Sequence, residues 1–329
     1  MTEKFIEING NKYIMKENHD GYLGYQLGNM GLTNLEDIKG LEDSDDLVYL
    51  DLSYNRLDSL PDSIFELKSL KFLFLAENQL THLPDCIDNL KSLELIELRG
   101  NQLTSLPDSI GNLRNLDSLM LDGNPLKNLP ESIGNLESLE YLAFFDTEFE
   151  YFPESMKDLP EFHLDFSNGN LSAFPESLLA IENLVGLSLV YSNLTEIPES
   201  INKLKVLNFL DLSGNHLTNI PDSIGDLSQL TYLGLQKNKL TILPKSIGNF
   251  AYLEILDLME NELTTIPESV GNLKSLTRLY LMNNKITSLP ESLLKLELLE
   301  DLDLKNNPIL NDKDNPVLEN LKNRDVLIY

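Results

Sequence analysis

Leucines recur along this chain in a fixed register, with polar positions set between them. From Leu47 the string reads LxxLxLxxNxLxxLPxxIxxLxx, filled by Leu47, Leu50, Leu52, Asn55, Leu57, Leu60, Pro61, Ile64 and Leu67. The register restarts at positions 70, 93, 116, 139, 161, 184, 207, 230, 253, 276 and 299, giving twelve units of which the last is truncated. Prolines keep the count, since Pro61, Pro84, Pro107, Pro130, Pro153, Pro175, Pro198, Pro221, Pro244, Pro267 and Pro290 are 23 residues apart with one step of 22. Within LxLxx the leucines alternate at period 2, as a strand with one buried face requires, and the turn residues that follow end it. A short strand and its return cannot bury that face alone. The units must therefore stack, strand beside parallel strand, around one continuous core.

The pattern resembles the leucine-rich repeat family in its 23-residue typical form, with the LPxxI signature, over roughly residues 24 to 310. That resemblance implies an α/β fold: a right-handed solenoid, horseshoe or arc, with a parallel β-sheet on the concave face and short helical or 3-10 segments on the convex face. It also implies similarity to intracellular scaffold and Ras-pathway leucine-rich repeat proteins, with a small GTPase, kinase or phosphatase among the partners. The expected organisation is an N-terminal hairpin cap over residues 1–23, repeats over 24–310 (one degenerate, then the twelve units) and a C-terminal cap over 311–329.

The asparagine of the motif answers a buried hydrogen-bonding problem. Where the chain turns inward after the strand, backbone N–H and C=O groups point into the stack, and an amide side chain can serve both kinds. Asn55, Asn78, Asn101, Asn124, Asn215, Asn238, Asn261, Asn284 and Asn307 are expected to form that ladder. On the return side, P[DE]S places proline near the first helical position with an acid after it, which suits the helix dipole. Asp62, Asp85, Asp108, Glu131, Glu154, Glu176, Glu199, Asp222, Glu268 and Glu291 fill the acidic column, Lys245 being the exception; it reads as a solvated, capped face.

At the N-terminus, apolar alternation on both sides of Asn9-Gly10 predicts a hairpin that covers the first edge of the sheet. The stretch after it fits a degenerate repeat with Leu32, Leu35 and Leu41 inward; at the other end Asn315–Asn323 reads as a short helix and Val326–Tyr329 as a closing strand. The middle departs from the pattern. Thr147, Gly169 and Ser192 occupy successive ladder positions, and Phe144, Phe145, Phe149, Phe152, Phe162, Phe166 and Phe174 supply seven of the thirteen phenylalanines. Larger rings filling a locally altered core explain them most simply; a binding epitope or a flex point is the alternative.

Composition narrows the function. Against 53 acidic side chains stand 25 basic ones, a net charge of −28, which disfavours nucleic acid and anionic membrane surfaces. A single cysteine, Cys86, and a charged Met1–Gly10 without a long apolar run favour a reducing, cytoplasmic setting, so the sequons at Asn170 and Asn193 read as coincidence.

Residues between the leucines face away from the core and carry the functional expectation. Tyr49, Asp51, Phe72, Phe74, Leu95, Glu97, Met120, Tyr141, Phe209, Asp211, Tyr232, Ile255, Asp257 and Tyr280 lie on the strands, with Tyr54, Phe145, Tyr191, Met259 and Met282 just past them. Nothing in the repeat demands aromatic or methionine side chains there, and such residues are enriched in interface cores. The acids among them predict a protein partner with a basic, amphipathic surface. Catalytic readings are thin: the chain has no phosphate loop, zinc-protease, CxxC or nucleophile-elbow motif, so no cofactor, metal or catalytic residue is expected. The run Glu42, Asp43, Asp45 and Asp46 reads as a solvated loop, and His163, Asp165 and Ser188 are the one hydrolase-like grouping, set aside for lack of an oxyanion hole. The sequence thus predicts a non-catalytic, monomeric intracellular scaffold that binds protein through its concave face; a self-associating structural protein is the alternative of a different class.

Overall fold

The computed structural model describes residues 4–8, 10–18, 20–35, 39–41, 44–146, 151–171, 173–312 and 314–329. Asn9 of the hairpin turn, Glu42, Asp43, Thr147 and Phe149 lie outside the described residues. The chain forms two compact units, Met1–His163 and Leu164–Tyr329.

In the first unit β1 (Phe5–Ile8) and β2 (Asn11–Ile14) pair antiparallel as a separate two-stranded sheet. The hairpin is tied to the chain through Lys39, which exchanges two backbone hydrogen bonds with Glu7 at 2.9 and 3.0 Å. The hairpin does not cover the repeat sheet's edge. That place is taken by β3 (Lys16–Glu17), which runs antiparallel to β4 (Leu23–Gln26). The correction has a simple cause: after the hairpin the chain turns once more, and its own next segment satisfies the edge groups of β4. From there β5 (Tyr49–Asp51), β6 (Phe72–Phe74), β7 (Leu95–Glu97), β8 (Ser118–Met120) and β9 (Tyr141–Ala143) add in parallel, with Tyr49 opposite Phe72 and Phe72 opposite Leu95.

The strand β10 (Phe162–Asp165) leads into the second unit, where β11 (Leu184–Ser188), β12 (Phe209–Asp211), β13 (Tyr232–Gly234), β14 (Ile255–Asp257), β15 (Arg278–Tyr280) and β16 (Asp301–Asp303) pair in parallel and in order. A helix, α1 (Pro316–Lys322), and β17 (Leu327–Ile328), parallel to β16, close that end. Arg324 seals the junction by donating to the carbonyls of Leu294 and Leu296 at 3.0 and 2.5 Å.

Leucines of the motif fill the core: Leu47, Leu50, Leu52 and Leu57 are 0–2% exposed, and the later copies behave alike. The phenylalanines of the irregular stretch join them. Phe144, Phe152, Phe162, Phe166 and Phe174 are all buried, and the ring of Phe166 lies 3.2 Å from where a side chain at Gly169 would start. Aromatic bulk thus occupies the space that an amide holds in regular repeats.

Each return segment is a five-residue 3-10 turn, for instance Asp62–Glu66 and Glu131–Asn135. Proline precedes the turn in extended conformation (Pro61 φ −73°, ψ 151°) and the acid is its first residue. Three of the glutamates reach the next repeat: Glu131, Glu199 and Glu268 accept the backbone N–H of Ser155, Ser223 and Ser292 at 3.2, 3.4 and 3.3 Å. These carboxylates cap a neighbour rather than themselves.

Candidate protein-binding face

The ladder holds the open face in place. Asn238 Nδ2 donates to the carbonyls of Leu212 and Leu235, both at 3.0 Å, while its Oδ1 accepts the N–H of Leu217 at 3.0 Å. Asn55, Asn78, Asn101, Asn124, Asn215, Asn261, Asn284 and Asn307 are buried and bonded in the same manner. At the break, Ser192 gives its N–H to Asn215 Oδ1 at 3.0 Å and turns its hydroxyl to the carbonyl of Phe166 at 3.4 Å. A shorter side chain keeps part of the network.

One residue before each ladder position the backbone is left-handed. Gly100, Gly123 and Gly214 adopt it without strain, but Tyr54 (φ 58°) and Tyr191 (φ 53°) also do. Glu77, Lys237 and Glu260 share the conformation, so the repeat's turn accepts side chains there, the tyrosines being the bulkiest. Both tyrosines are more than half exposed, and the Tyr191 hydroxyl accepts from Lys237 Nζ at 3.2 Å. The repeat pattern sets both residues just past the strands on the open face, but carries no sign of their backbone conformation.

In the first unit Tyr49, Asp51, Phe72, Phe74, Leu95, Glu97, Met120 and Tyr141 are half-buried on the sheet face opposite the core, and Phe145 is half-buried just past β9. Tyr49 packs on Phe74 with centroids 5.1 Å apart, and Tyr22, which the motif did not single out, packs on Phe72 at 4.9 Å. Gly24 permits this approach, since a Cβ there would fall 2.7 Å from the Tyr49 Cβ. Burial, then the Asp51 charge, pushes the Tyr49 hydroxyl above the usual phenol range.

In the second unit Phe209 and Tyr232 stack at 4.6 Å and 9°, with Ile255 next in the register. Tyr280, Met259 and Met282 are half-buried beside them. Through the column Asp211, Gly234, Asp257, Tyr280, Asp303, acids stand on alternate strands. Each of these acids has a structural task that sequence reading missed. Asp211, Asp257 and Asp303 accept through Oδ1 the N–H two residues on, from Ser213, Met259 and Lys305 at 2.9–3.0 Å, and Asp51 and Asp165 do likewise. The aspartates thus end the strands with a local turn bond. Asp257 is only 8% exposed. Burial pushes its carboxyl up to about 6, with the Asp211 and Asp303 charges adding to the rise and the Met259 N–H opposing it. Burial, then the Asp211 and Asp257 charges, holds the Tyr232 hydroxyl far above its ordinary value.

The hydrolase-like grouping takes another form. Asp165 accepts from the Ser167 hydroxyl at 2.6 Å, and that hydroxyl lies 2.8 Å from Ser188 Oγ, so both are engaged with a serine. Among the described residues no cluster of three potential metal ligands occurs, and no helix is long and apolar enough to cross a membrane.

Residues 25–120, 63–181 and 222–327 match a leucine-rich repeat region, and 182–240 a leucine rich repeat. No curated protein matches the chain. Among solved structures, an LRR protein of Leptospira interrogans is 29% identical over 92% of this chain and 94% of that one, with a TM-score of 0.58. The plant peptide hormone receptor RGFR1, solved in complex with RGF2, is 29% identical over 96% of this chain and 51% of that one, TM-score 0.64. A chain of the Drosophila Toll–Spatzle complex is 25% identical over 84% of this chain and 40% of that one, TM-score 0.71. The fold they share generally mediates protein–protein interaction, and its families are typically non-catalytic binding domains. With a buried asparagine ladder, parallel strands at one per repeat and matches that run from residue 25 to 327, this chain belongs to the leucine-rich repeat family.

Proposed function

We propose that this chain is a non-catalytic, monomeric cytoplasmic scaffold of the 23-residue LPxxI class that captures protein or peptide partners on the open face of its sheets. The carrying observation is the set of half-buried aromatic side chains there, Tyr49, Phe72 and Phe74 in one unit and Phe209, Tyr232 and Tyr280 in the other. Core packing requires none of them. The acids interspersed with the rings favour a basic, amphipathic partner. A neighbour solved with a peptide hormone supports a peptide-sized ligand as one form of that partner. Similarity in repeat class to Ras-pathway proteins makes an adaptor for a small GTPase, kinase or phosphatase the next reading.

A pull-down from source lysate tests the surface. Wild type is compared with a variant carrying Phe72→Asp, Phe74→Asp, Tyr232→Asp and Tyr280→Asp, whose fold is checked by circular dichroism. Loss of the captured proteins is expected; retention of every one by a folded variant places binding elsewhere.

A further inference from the structure

The acidic column of the second unit has a spacing that selects a ligand. Asp211, Asp257 and Asp303 stand in register on β12, β14 and β16, with Gly234 and Tyr280 between them. Parallel strands lie ~4.8 Å apart, so successive carboxylates are roughly 10 Å apart. A single metal ion cannot bridge them, because its oxygen ligands must approach to about 2.5 Å. A ligand that pairs with all three must therefore carry one cation for each carboxylate, at a matching repeat. An extended polyproline-type peptide supplies one, since three residues advance it about 9 Å and bring residues i, i+3 and i+6 to one side.

The side-chain chemistry narrows the cation. Oδ1 of each aspartate is spent on the N–H two residues on. No hydrogen bond to Oδ2 of Asp257 or Asp303 occurs among the described residues, and Oδ2 of Asp211 has only the Tyr232 hydroxyl at 3.5 Å. Beside this column the stacked Phe209 and Tyr232 rings and Ile255 form a flat apolar strip. A planar guanidinium on an alkyl stem fits both features, pairing with a carboxylate edge while lying against a ring. Gly234 keeps the arrangement open: a Cβ there would meet Asp211 Oδ1 at 2.5 Å and the Tyr232 hydroxyl at 2.9 Å.

We propose that the open face of β12–β16 binds an extended peptide segment with arginines three residues apart, one for each of Asp211, Asp257 and Asp303. This deepens, and rests on, the reading of that face as a partner-binding surface. Neutralising Asp257, which burial holds half-reluctant to ionise, adds a reason for a cation to be taken up there.

Fluorescence anisotropy with labelled, end-blocked synthetic peptides tests it on the full chain. The probe is Arg-Pro-Leu-Arg-Pro-Leu-Arg, and its control is the isomer with three adjacent arginines, equal in charge and composition. The spaced peptide is expected to bind at least tenfold tighter. Asp211→Asn, Asp257→Asn and Asp303→Asn keep an oxygen for the local N–H, and each should weaken it about three- to tenfold. Gly234→Ala, which leaves the charge unchanged, should narrow the gap between the two peptides. Thermal melts confirm that each variant is folded. Equal binding of the isomers, tighter binding of spermine than of the spaced peptide, or full binding by the folded triple aspartate variant overturns the proposal. If the peptides behave so while capture from lysate still depends on the aromatic positions, the arginine spacing is wrong and the wider reading stands.

Discussion

Asn238 makes four hydrogen bonds to backbone groups of two successive repeats, three of them buried. Alanine there leaves the buried Leu217 N–H without its acceptor and the Leu212 and Leu235 carbonyls with one amide donor each, from Asn215 and Asn261, so Asn238→Ala is expected to cost about 1–3 kcal/mol, read as a lower denaturant midpoint at unchanged slope. Asp257 behaves in the opposite sense. Its folded carboxyl, pushed up to about 6, holds a proton more tightly than an unfolded aspartate near about 3.9. The native state thus binds the extra proton between these values, and this stabilisation is present at low pH and is lost as pH rises through about 6. Asp257→Asn removes the charge and keeps an acceptor for the Met259 N–H. The variant should exceed wild type by on the order of 1–2 kcal/mol near pH 7.5, the open groove screening part of the cost, and match it near pH 4. Chemical denaturation at the two pH values checks the sign; a gap independent of pH contradicts the assignment. Residue identities on the ladder were legible in the sequence because an amide is needed wherever the chain turns inward. The turn bond of the aspartates was not, since an outward carboxylate looks the same whether it holds a backbone N–H or waits for a partner.

Between elements, the 3-10 turns are packed closely enough to dictate glycine. A Cβ at Gly111, Gly134, Gly225, Gly248 or Gly271 would fall 2.1–2.4 Å from the carbonyl oxygen of the serine in the following repeat. Gly225→Ala must push one turn off the next, at a cost of about 1–3 kcal/mol. Ser269→Ala, at the same kind of contact, deletes a buried hydroxyl that has no partner among the described residues. It should be neutral or mildly stabilising, and thermal melts of the two variants make the comparison. The LP and SIG signatures gave away the turn and its place, while the reason for glycine required seeing two repeats side by side. The same holds for Glu131, Glu199 and Glu268, whose partners lie 24 residues on.

For a whole unit of stacked repeats, the ends decide whether the core stays closed. Val317, Leu318, Leu321 and Val326 are buried, and β17 covers the edge of β16. Removing residues 311–329 should leave that edge and the core beneath it bare, so the truncated protein is expected to aggregate or associate in light scattering. A monodisperse, equally stable product would show that the last repeat needs no cap. By itself the sequence determined the repeat, its strand and turn positions, the ladder asparagines and the residues on the open face, because each is set by a local period repeated many times. Tertiary structure alone decided which strand guards the first edge, which carboxylates cap a neighbouring turn, where tyrosine sits in a left-handed backbone and how the acids of the second unit are spaced. Those depend on contacts between residues a full repeat or more apart, and a one-dimensional period carries the order of such residues but not the distances between their atoms.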